Sequence, residues 1–594
     1  MPCKTIYIFF IIILLLINIK SDVPVHCTSD QSFGKWRFHV YGQLFKPNLF
    51  NNQSTCGHGY PGKKLVEIGE TAELPYNIIK TYELELKKDF KVYENGENVG
   101  NWTNVYDQSF IVYYKNAVFY AHYRYYVNED NIYQFYSNCN RTMNGWFTIE
   151  EETSKNNDNQ LMGCFVGEKI EEDENNKNKE DEKDDVILMS KPSKKKISKN
   201  LLKSIKMKDF DKIVKAINNA NLTWKAKINQ EDLELSFYDY YKKYFDIKNI
   251  LLDDDDDNNV IEEKENNNKK NLRNLHQIEL SINEVVNGMK NIETQKTSNQ
   301  EKINLKPNDS LIREPDSHYV TNKDEILKYI NASYDEIDEN VLPKNWDWRD
   351  VGGENYYSEE IVQGGCGSCY IISTISILES RLRIKTLNKD QTKLSAQFPL
   401  SCSFYTEGCQ GGYPIVLGKF FHDFEIVPAE CFEYQQREEE CENVCNFEQF
   451  DKKYYVTDYG YIGGFYGAAT EVLMMKELRA RGPITGNIKS PLFFSTFSGG
   501  IYSSKEIEEN VSKGLNNKSL YEDNIFFQQV GHSTTIVGYG EENGIKFWIC
   551  MNSYGKNWGE NGYYRVLRGE NEMKIESMPE YLNIDFVKRK NDKS

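Results

Sequence analysis

A long charged tract interrupts this chain of 594 residues and limits which parts of it can fold. Residues 168–200 are mainly Glu, Asn, Asp and Lys, and the five aspartates at 253–257 open a second such stretch that reaches about residue 340. Such segments bury too little apolar surface to offset the entropy lost on ordering. Between them lies a short helical island, whose apolar residues on one predicted face are Ile213, Val214, Ile217 and Trp224.

The N-terminus has the features of a targeting sequence. Lys4 precedes an apolar run over residues 6–17, which is too short to span a bilayer and is typical of a signal peptide. Ser21 supplies a small residue for cleavage, so residues 1–21 are predicted to be a signal peptide, with a retained anchor as the alternative. We therefore expect the secretory pathway, in a lysosome-like or vacuolar compartment or outside the cell, without stable membrane insertion after cleavage.

Charge and residue composition indicate which partners are excluded and which fold the first part of the chain adopts. The net charge of −18 argues against a nucleic-acid partner, which would need a basic surface. Residues 22–167 are rich in Tyr, Phe, Val and Thr, and the runs 110–114 and 117–126 have the composition of β-strands. This part is predicted to be a compact all-β domain that contains four cysteines.

The chain has 13 cysteines, and a secreted protein is expected to pair them as disulfides. Loss of Cys3 with the signal peptide would leave twelve, and five bridges form if two stay free. A zinc site that includes Cys366 and Cys369 is the alternative, but no second pair follows at zinc-site spacing.

The strongest chemical signal is the sequence Cys366-Gly-Ser-Cys369-Tyr370. It fits the local pattern C-G-[SA]-C-[WY] that surrounds the nucleophile of one class of cysteine peptidases. An apolar stripe follows and predicts a helix that begins near Cys369. A helix N-terminus stabilises a thiolate, which is the form that acyl transfer requires. The alternative is that Cys369 is a buried structural cysteine.

Two histidines follow residue 342 and can be considered as the base. His422 lies in a helix-like run and is interpreted as a surface or packing residue. His532 lies in a β-rich run between glycines, 163 residues after Cys369. This separation exceeds the roughly 130–150 residues typical of such enzymes, and a polar insertion at 503–529 accounts for the excess. Asn552 is predicted to orient the imidazole, and Gln363 to donate to the oxyanion.

These residues resemble the papain family and, within it, the cathepsin C branch. In the second half the resemblance rests on residues 346–349, 409–414, 552–555 and 558–563, together with Phe465 and Tyr466. In the first half it rests on residues 22–27, 137–146, 163–167 and 214–218, together with Trp224. It implies an α+β fold in which a papain-like domain with a helical lobe and a β-barrel lobe, residues 342–594, follows an all-β exclusion domain, residues 22–167, and a propeptide and linker, residues 168–341.

The resemblance also implies cysteine pairings and substrate contacts. The implied disulfides are Cys27–Cys139, Cys56–Cys164, Cys366–Cys409, Cys402–Cys441 and Cys431–Cys445, which leave Cys369 and Cys550 unpaired. Asp22 would bind the free ammonium of a peptide substrate, and Gly411, Gly412 and Met578 would line the substrate-binding sites. No cofactor is required. Members of the branch bind chloride through two tyrosines; Tyr461 fits one position, but Ile415 stands at the other.

The implied activity is release of N-terminal dipeptides from peptides with a free N-terminus, after an activating protease has removed the propeptide. A papain-like endopeptidase and a non-catalytic homologue are the alternatives. Two departures from the family pattern bear on the second alternative: Gly531 replaces an Asn before the histidine, and Tyr554 replaces a shielding Trp. The mammalian member of the branch is a tetramer, so the resemblance leaves open whether this chain forms an oligomer.

Overall fold

The computed structural model describes residues 27–61, 77–128, 131–150, 160–170, 197–198, 203, 206–219, 222–244, 252–253, 332–358, 361–490, 494–504 and 531–589. The predicted signal peptide, Asp22 and nearly all of the 503–529 insertion lie outside these residues. Within them, none of the helices combines the length and the apolar character needed to cross a bilayer.

Twenty strands and seven α-helices are numbered here in chain order. The strands are β1 (Gly34–Phe45), β2 (Ile78–Leu86), β3 (Lys91–Glu94), β4 (Glu97–Val105), β5 (Ser109–Tyr114), β6 (Ala117–Asn128), β7 (Asn131–Thr142), β8 (Gly145–Glu150), β9 (Gln160–Lys169), β10 (Ile197–Ser198), β11 (Trp224–Ala226), β12 (Leu252–Asp253), β13 (Trp346–Asp347), β14 (Lys452–Tyr461), β15 (Ile484–Ile488), β16 (Phe497–Tyr502), β17 (His532–Glu542), β18 (Ile545–Met551), β19 (Tyr563–Leu567) and β20 (Glu580–Lys588). The helices are α1 (Ser29–Ser32), α2 (Asp211–Asn219), α3 (Phe237–Tyr244), α4 (Cys369–Thr386), α5 (Gln397–Cys402), α6 (Pro414–Asp423) and α7 (Glu471–Arg481).

The chain divides into two compact units, which are described separately. The barrel unit comprises Asp22–Ser193, Asp390–Leu473 and Ser577–Ser594. The sheet unit comprises Met1–Ser21, Lys194–Lys389 and Met474–Glu576.

The first nine strands form the closed barrel of the barrel unit. Their order is β1-β2-β3-β4-β5-β6-β7-β9-β8, and antiparallel pairing of β1 with β9 closes the sheet. Alternate side chains point inward, as the two-residue period of a strand requires. The aromatic centre of the core contains Trp36, Phe38, Phe110, Phe119 and Phe165, all fully buried. The strands predicted at 110–114 and 117–126 are β5 and β6. The last strand passes the predicted boundary at residue 167, because Lys169 still pairs with β1.

Four of the implied disulfides lie within the barrel unit. Cys27–Cys139 and Cys56–Cys164 join segments of the barrel, and Cys402–Cys441 and Cys431–Cys445 join segments of its helical part. Cys366 and Cys409 are also disulfide-bonded. Among the described cysteines, Cys369 and Cys550 carry free thiols.

The helical part of the barrel unit is built on α5 and α6. Helix α6 starts with Pro414, a residue whose fixed φ suits the first helical position. It packs on β14, which pairs antiparallel with β20. Its apolar residues Leu417, Phe420 and Phe421 are fully buried.

The sheet unit contains strands in the order β11-β16-β19-β18-β17-β15, and β13 also pairs with β17. Helix α4 packs against β17 and is buried along most of its length. Hydroxyl side chains are tolerated in this buried helix because they bond to carbonyls one turn back, as Thr374 does to Tyr370 and Ser380 does to Ser376. The helix ends at Thr386, and Leu387, which caps it, adopts a left-handed conformation.

The predicted helical island is a helix followed by a strand. Helix α2 ends at Asn219, and Trp224 lies in β11, so the expectation that Trp224 shares a helical face with Ile217 is wrong. Strand β11 pairs antiparallel with β16, and the Trp224 ring lies 4.9 Å from that of Tyr502. Pairing with the edge of β16 satisfies the backbone polar groups of this segment without a helix.

Residues just before the predicted domain start at Leu342 are anchored in the sheet unit. The Tyr334 hydroxyl donates to Glu477 Oε2 at 3.1 Å, and Lys476 Nζ donates to the Tyr334 carbonyl at 3.0 Å. Glu477 is itself buried in an ion pair with Arg381 at 2.8 Å. Ile337 is only 1% exposed. The segment described from residue 332 is therefore attached to the sheet unit upstream of Leu342.

Candidate active site

Cys369 is the first residue of α4, as the sequence predicts. The first N–H groups of a helix have no intrahelical acceptor and carry the positive end of the helix dipole. The thiol is partly exposed, and its sulfur accepts a hydrogen bond from the Ser533 N–H at 3.4 Å. Because Ser533 directly follows His532, this contact places the start of β17 beside the thiol.

Antiparallel pairing brings His532 and Asn552 together. His532 is the first residue of β17, and Asn552 directly follows the last residue of β18. Neighbouring antiparallel strands begin and end at the same edge of a sheet. At this edge His532 Nε2 and Asn552 Oδ1 are 2.8 Å apart, and both residues are buried.

The hydrogen bonds of Asn552 define the tautomer of His532. Asn552 Oδ1 also accepts from the Ser553 N–H at 2.8 Å, which identifies this atom as the oxygen of the amide. Since Oδ1 can only accept, Nε2 of His532 must carry the proton that it shares. The nitrogen left to take a proton in the neutral imidazole is therefore Nδ1.

Tyr554 covers the imidazole of His532, at the position where the resemblance to the papain family predicts a shielding Trp. Its ring centroid lies 5.1 Å from that of His532, with an angle of 30° between the planes. Trp558 packs edge-on against Tyr554 at 5.4 Å and donates to the Ser495 carbonyl. The smaller ring is therefore held over the imidazole by a buried neighbour, and the substitution retains a shielding contact.

Gln363 is fixed next to the same strand end. Its N–H donates to the Ser553 carbonyl at 3.1 Å, and its Oε1 accepts from the Ser553 hydroxyl at 2.5 Å. Its Nε2 donates to the Cys366 carbonyl at 3.1 Å. These bonds determine the orientation of the amide and place its NH₂ group in the loop that precedes Cys369.

Burial favours the neutral forms of both reactive groups. It raises the pKa of the Cys369 thiol, against hydrogen bonds from the Ser533, Tyr370 and Cys369 N–H groups, which lower that pKa. It lowers the pKa of His532 to about 4, and the hydrogen bond to Asn552 acts in the opposite direction. A charge on one group alone is therefore unfavourable, whereas transfer of a proton from sulfur to imidazole creates two compensating charges. This arrangement can produce a thiolate and an imidazolium together.

The residues predicted to bind substrate belong to the barrel unit or lie outside the described residues. Asp22 is not among the described residues. Gly411 has a positive φ of 128°, which favours glycine, and Gly412 follows it. Met578 is fully buried in the barrel unit.

The two positions at which the resemblance implies chloride binding, Tyr461 and Ile415, differ in their chemistry. The Tyr461 hydroxyl is buried and could donate a hydrogen bond to an anion. Ile415, at the other position, is fully buried and has no donor group.

Sequence reasoning missed a buried polar cluster in the barrel unit, here called the Asp423 network. It consists of Lys419, His422 and Asp423 of α6, Tyr405, and the barrel residues Thr148, Glu150 and Gln160. His422 is interpreted from the sequence as a surface or packing residue, and its ring does pack against that of Tyr459 at 5.8 Å. The sequence does not predict that this side chain, 14% exposed, also lies between two carboxylates. The spacing of Lys419 and Asp423, four residues apart in a helix, was the available sequence signal.

Two family descriptions match two separate parts of the chain. Residues 342–582 match "Papain family cysteine protease", and residues 22–169 match "Cathepsin C exclusion domain". The second match includes the two residues by which β9 passes the predicted boundary.

Three curated proteins illustrate the similarity. "Dipeptidyl aminopeptidase 1" of Plasmodium falciparum (isolate 3D7) is 24% identical over 95% of this chain and 94% of its own length. "Cathepsin C" of Schistosoma mansoni is 34% identical over 40% of this chain and 50% of its own length. "Cathepsin Z" of Onchocerca volvulus is 31% identical over 39% of this chain and 71% of its own length. The chain belongs to the papain family of cysteine proteases and carries the exclusion domain of the cathepsin C branch.

Proposed function

We propose that this chain is a cysteine-type dipeptidyl aminopeptidase, which releases N-terminal dipeptides through a thiol acyl-enzyme. The proposal rests on the presence, within one chain, of both a cysteine-histidine-asparagine arrangement and a match to an exclusion domain. Cys369 at a helix N-terminus lies beside the bonded pair of His532 and Asn552, and the same chain has an exclusion domain. The relative named Dipeptidyl aminopeptidase 1, which is similar over most of its length, supports this specificity.

The first half of the reaction acylates the enzyme. The thiol proton moves to Nδ1 of His532, and the Cys369 sulfur bonds to the carbonyl carbon of the scissile peptide. The developing oxyanion accepts hydrogen bonds from the Cys369 N–H and the Gln363 amide. The imidazolium then gives its proton to the leaving nitrogen as the C–N bond breaks. Asn552 keeps the imidazole oriented through both proton transfers.

The second half of the reaction releases the dipeptide. A water molecule attacks the thioester carbon while His532 takes its proton. The C–S bond then breaks, the sulfur recovers the proton from the imidazolium, and the acid product leaves. The base and the thiol return to their starting protonation states without any cofactor.

The length of the product would be set at the processed N-terminus. Removal of residues 1–21 makes Asp22 the first residue, and its carboxylate pairs with the substrate's ammonium in a charge-assisted contact. Cleavage then falls after the second residue of the substrate. We assign Gly411, Gly412 and Met578 to the substrate-binding sites, with Met578 favouring apolar side chains of medium size at the second residue.

Maturation and location follow from the same proposal. An activating protease would remove most of the 168–341 region, leaving the anchored residues 332–341 on the catalytic chain. The product would act in the secretory pathway, in a lysosome-like compartment or outside the cell. The similarity to the proteins named Cathepsin C and Cathepsin Z supports such a compartment.

A pair of substrates tests the proposal. Processed enzyme is incubated with a fluorogenic dipeptide that has a free amine, and with the same compound acetylated at that amine. We expect turnover of the free amine only. Turnover of both would indicate an endopeptidase, and no turnover without labelling of Cys369 by an epoxide inhibitor would indicate a non-catalytic homologue.

Asp22→Ala tests the ammonium contact. We expect the variant to lose its preference for the free amine, whereas Asp30→Ala, which changes an exposed acid in α1, keeps it. N-terminal sequencing of the processed chain should begin at Asp22. An unchanged preference in the Asp22 variant would refute the role given to this residue.

A further inference from the structure

The Asp423 network joins one helix to the wall of the barrel. Three side chains near the C-terminal end of α6 take part, and each has a partner on β8 or β9. Lys419 Nζ donates to Thr148 Oγ1 at 3.1 Å, and Gln160 Nε2 donates to Asp423 Oδ1 at 2.9 Å. His422 Nε2 lies 3.3 Å from Glu150 Oε1.

Asp423 is the centre of this network. Its Oδ2 accepts from Lys419 Nζ at 2.7 Å and from the Tyr405 hydroxyl at 2.6 Å. Its Oδ1 accepts from Gln160 and lies 3.4 Å from His422 Nδ1. The Lys419 and Asp423 side chains are 1% and 0% exposed. The carboxylate and its lysine partner are therefore sealed from solvent, whereas the His422 side chain is 14% exposed.

An apolar contact lies next to the network. The Tyr405 ring packs against the barrel residues Trp146 at 4.5 Å and Tyr120 at 5.6 Å. Elsewhere, the Phe465 ring stacks on the barrel residue Phe90 at 4.1 Å. Such contacts hold two surfaces together without fixing their register, because hydrophobic attraction is non-directional. Buried hydrogen bonds to charges are directional, and they are costly if a shift leaves them unpaired.

We propose that Asp423, with Lys419 and His422, fixes the position of the exclusion barrel on the peptidase domain and thereby restricts cleavage to dipeptides. This inference rests on the proposed function. An extended substrate advances by about 3.3 Å per residue, so a displacement of the barrel by that amount changes the length of the piece released. These three are positioning residues that act through the barrel and not on the reacting atoms.

The test compares Asp423→Asn with a matched control. Asp390→Asn removes an equivalent charge in the same unit, where the carboxylate bonds to Thr392, Lys452 and Tyr454, all from residues 390–473. The readout is the ratio of kcat/KM for the free-amine substrate to that for its acetylated twin. Products from a longer free peptide are identified by mass spectrometry.

We expect Asp423→Asn to lower this ratio at least tenfold and to release products longer than dipeptides. Labelling of Cys369 by the epoxide inhibitor should stay within twofold of wild type, and Asp390→Asn should keep the wild-type ratio. A wild-type ratio in Asp423→Asn, or an equal fall in Asp390→Asn, would overturn the inference.

A barrel-side variant gives the same measurement if Asp423→Asn does not fold. The double variant Thr148→Val, Gln160→Met removes two barrel partners of the network without changing α6. Loss of Gln160 Oε1 breaks no other hydrogen bond among the described residues, because this atom has no partner there. This variant should show the same fall in ratio, and an unchanged ratio would refute the inference. If wild type itself hydrolyses both substrates equally, the proposed function fails first, and the role of the network fails with it.

Discussion

Replacement of Asn552 by Ala should separate orientation of the imidazole from the chemistry of the thiol. The substitution removes the oxygen that accepts from His532 Nε2 and from the Ser553 N–H, both at 2.8 Å. A hydrogen bond to a charged group contributes about 1.5–3 kcal/mol, and the imidazolium is charged when the leaving group departs. At about 1.4 kcal/mol per factor of ten, kcat/KM should fall by roughly 10- to 150-fold.

Asn552→Asp is the matched control. The carboxylate keeps an acceptor for both N–H groups, and the Asn552 Nδ2 that it replaces has no partner among the described residues. A charged acceptor also stabilises the imidazolium, so the pKa of His532 should rise above its value of about 4. In the Ala variant the same pKa should fall, because the hydrogen bond that raises it is gone.

The assay is kcat/KM with the free-amine substrate between pH 5 and pH 8, normalised by titration of Cys369 with the epoxide inhibitor. Thermal unfolding is measured in parallel, since loss of the acceptor for a buried N–H also costs about 1–3 kcal/mol of stability. If Asn552→Ala stays within threefold of wild type, the imidazole is oriented by something other than this bond, and the reasoning fails.

Three further outcomes are expected. Tyr554→Ala should lower kcat/KM by exposing the imidazole to water, whereas Tyr554→Trp should keep or raise it, as measured with the same substrate. The barrel should stay attached to the peptidase domain most strongly between about pH 4 and 6.5. Size-exclusion chromatography of the processed enzyme at different pH values measures this attachment. The pKa of Asp423 is lowered to about 2, so its contribution is lost as pH falls from about 4 toward 2; the pKa of His422 is raised to about 9, so its contribution is lost as pH rises from about 6.5 toward 9. Mass spectrometry of the processed catalytic chain should find residues 332–341 still attached, because Tyr334 is bonded to the buried Glu477; a chain that starts at residue 342 would contradict this.

The positions of Cys369, His532 and Asn552 at the ends of their elements could be predicted from sequence, because the proposed chemistry restricts both residue type and neighbours. Cys369 had to lie at the start of a helix, and the apolar stripe after it predicted α4. His532 and Asn552 each lie at the end of a β-rich run, and their meeting requires only that the two strands be antiparallel neighbours. Local sequence patterns are sufficient to predict such a site when each interacting residue lies at the end of a predictable helix or strand.

The Asp423 network could not be predicted, because its members are far apart in the chain. Gln160 and Asp423 are separated by 263 residues, and Thr148 and Lys419 by 271. No periodicity indicates which strand of a barrel will face which helix. Residues 332–341 are a similar case, since their anchoring depends on Glu477 and not on their own composition.

The two buried polar sites differ in how their charges are compensated, and this difference determines what a pH profile can report. In the Asp423 network Asp423 and His422 each lie beside opposite charges, and their interactions contribute fully from about pH 4 to pH 6.5. The imidazole of His532 has only neutral bonded partners, so burial lowers its pKa to about 4 and its charge can form only as the thiol gives up its proton. Within that range, a change of activity with pH therefore reports proton transfer between Cys369 and His532, while the selectivity for dipeptides should stay constant.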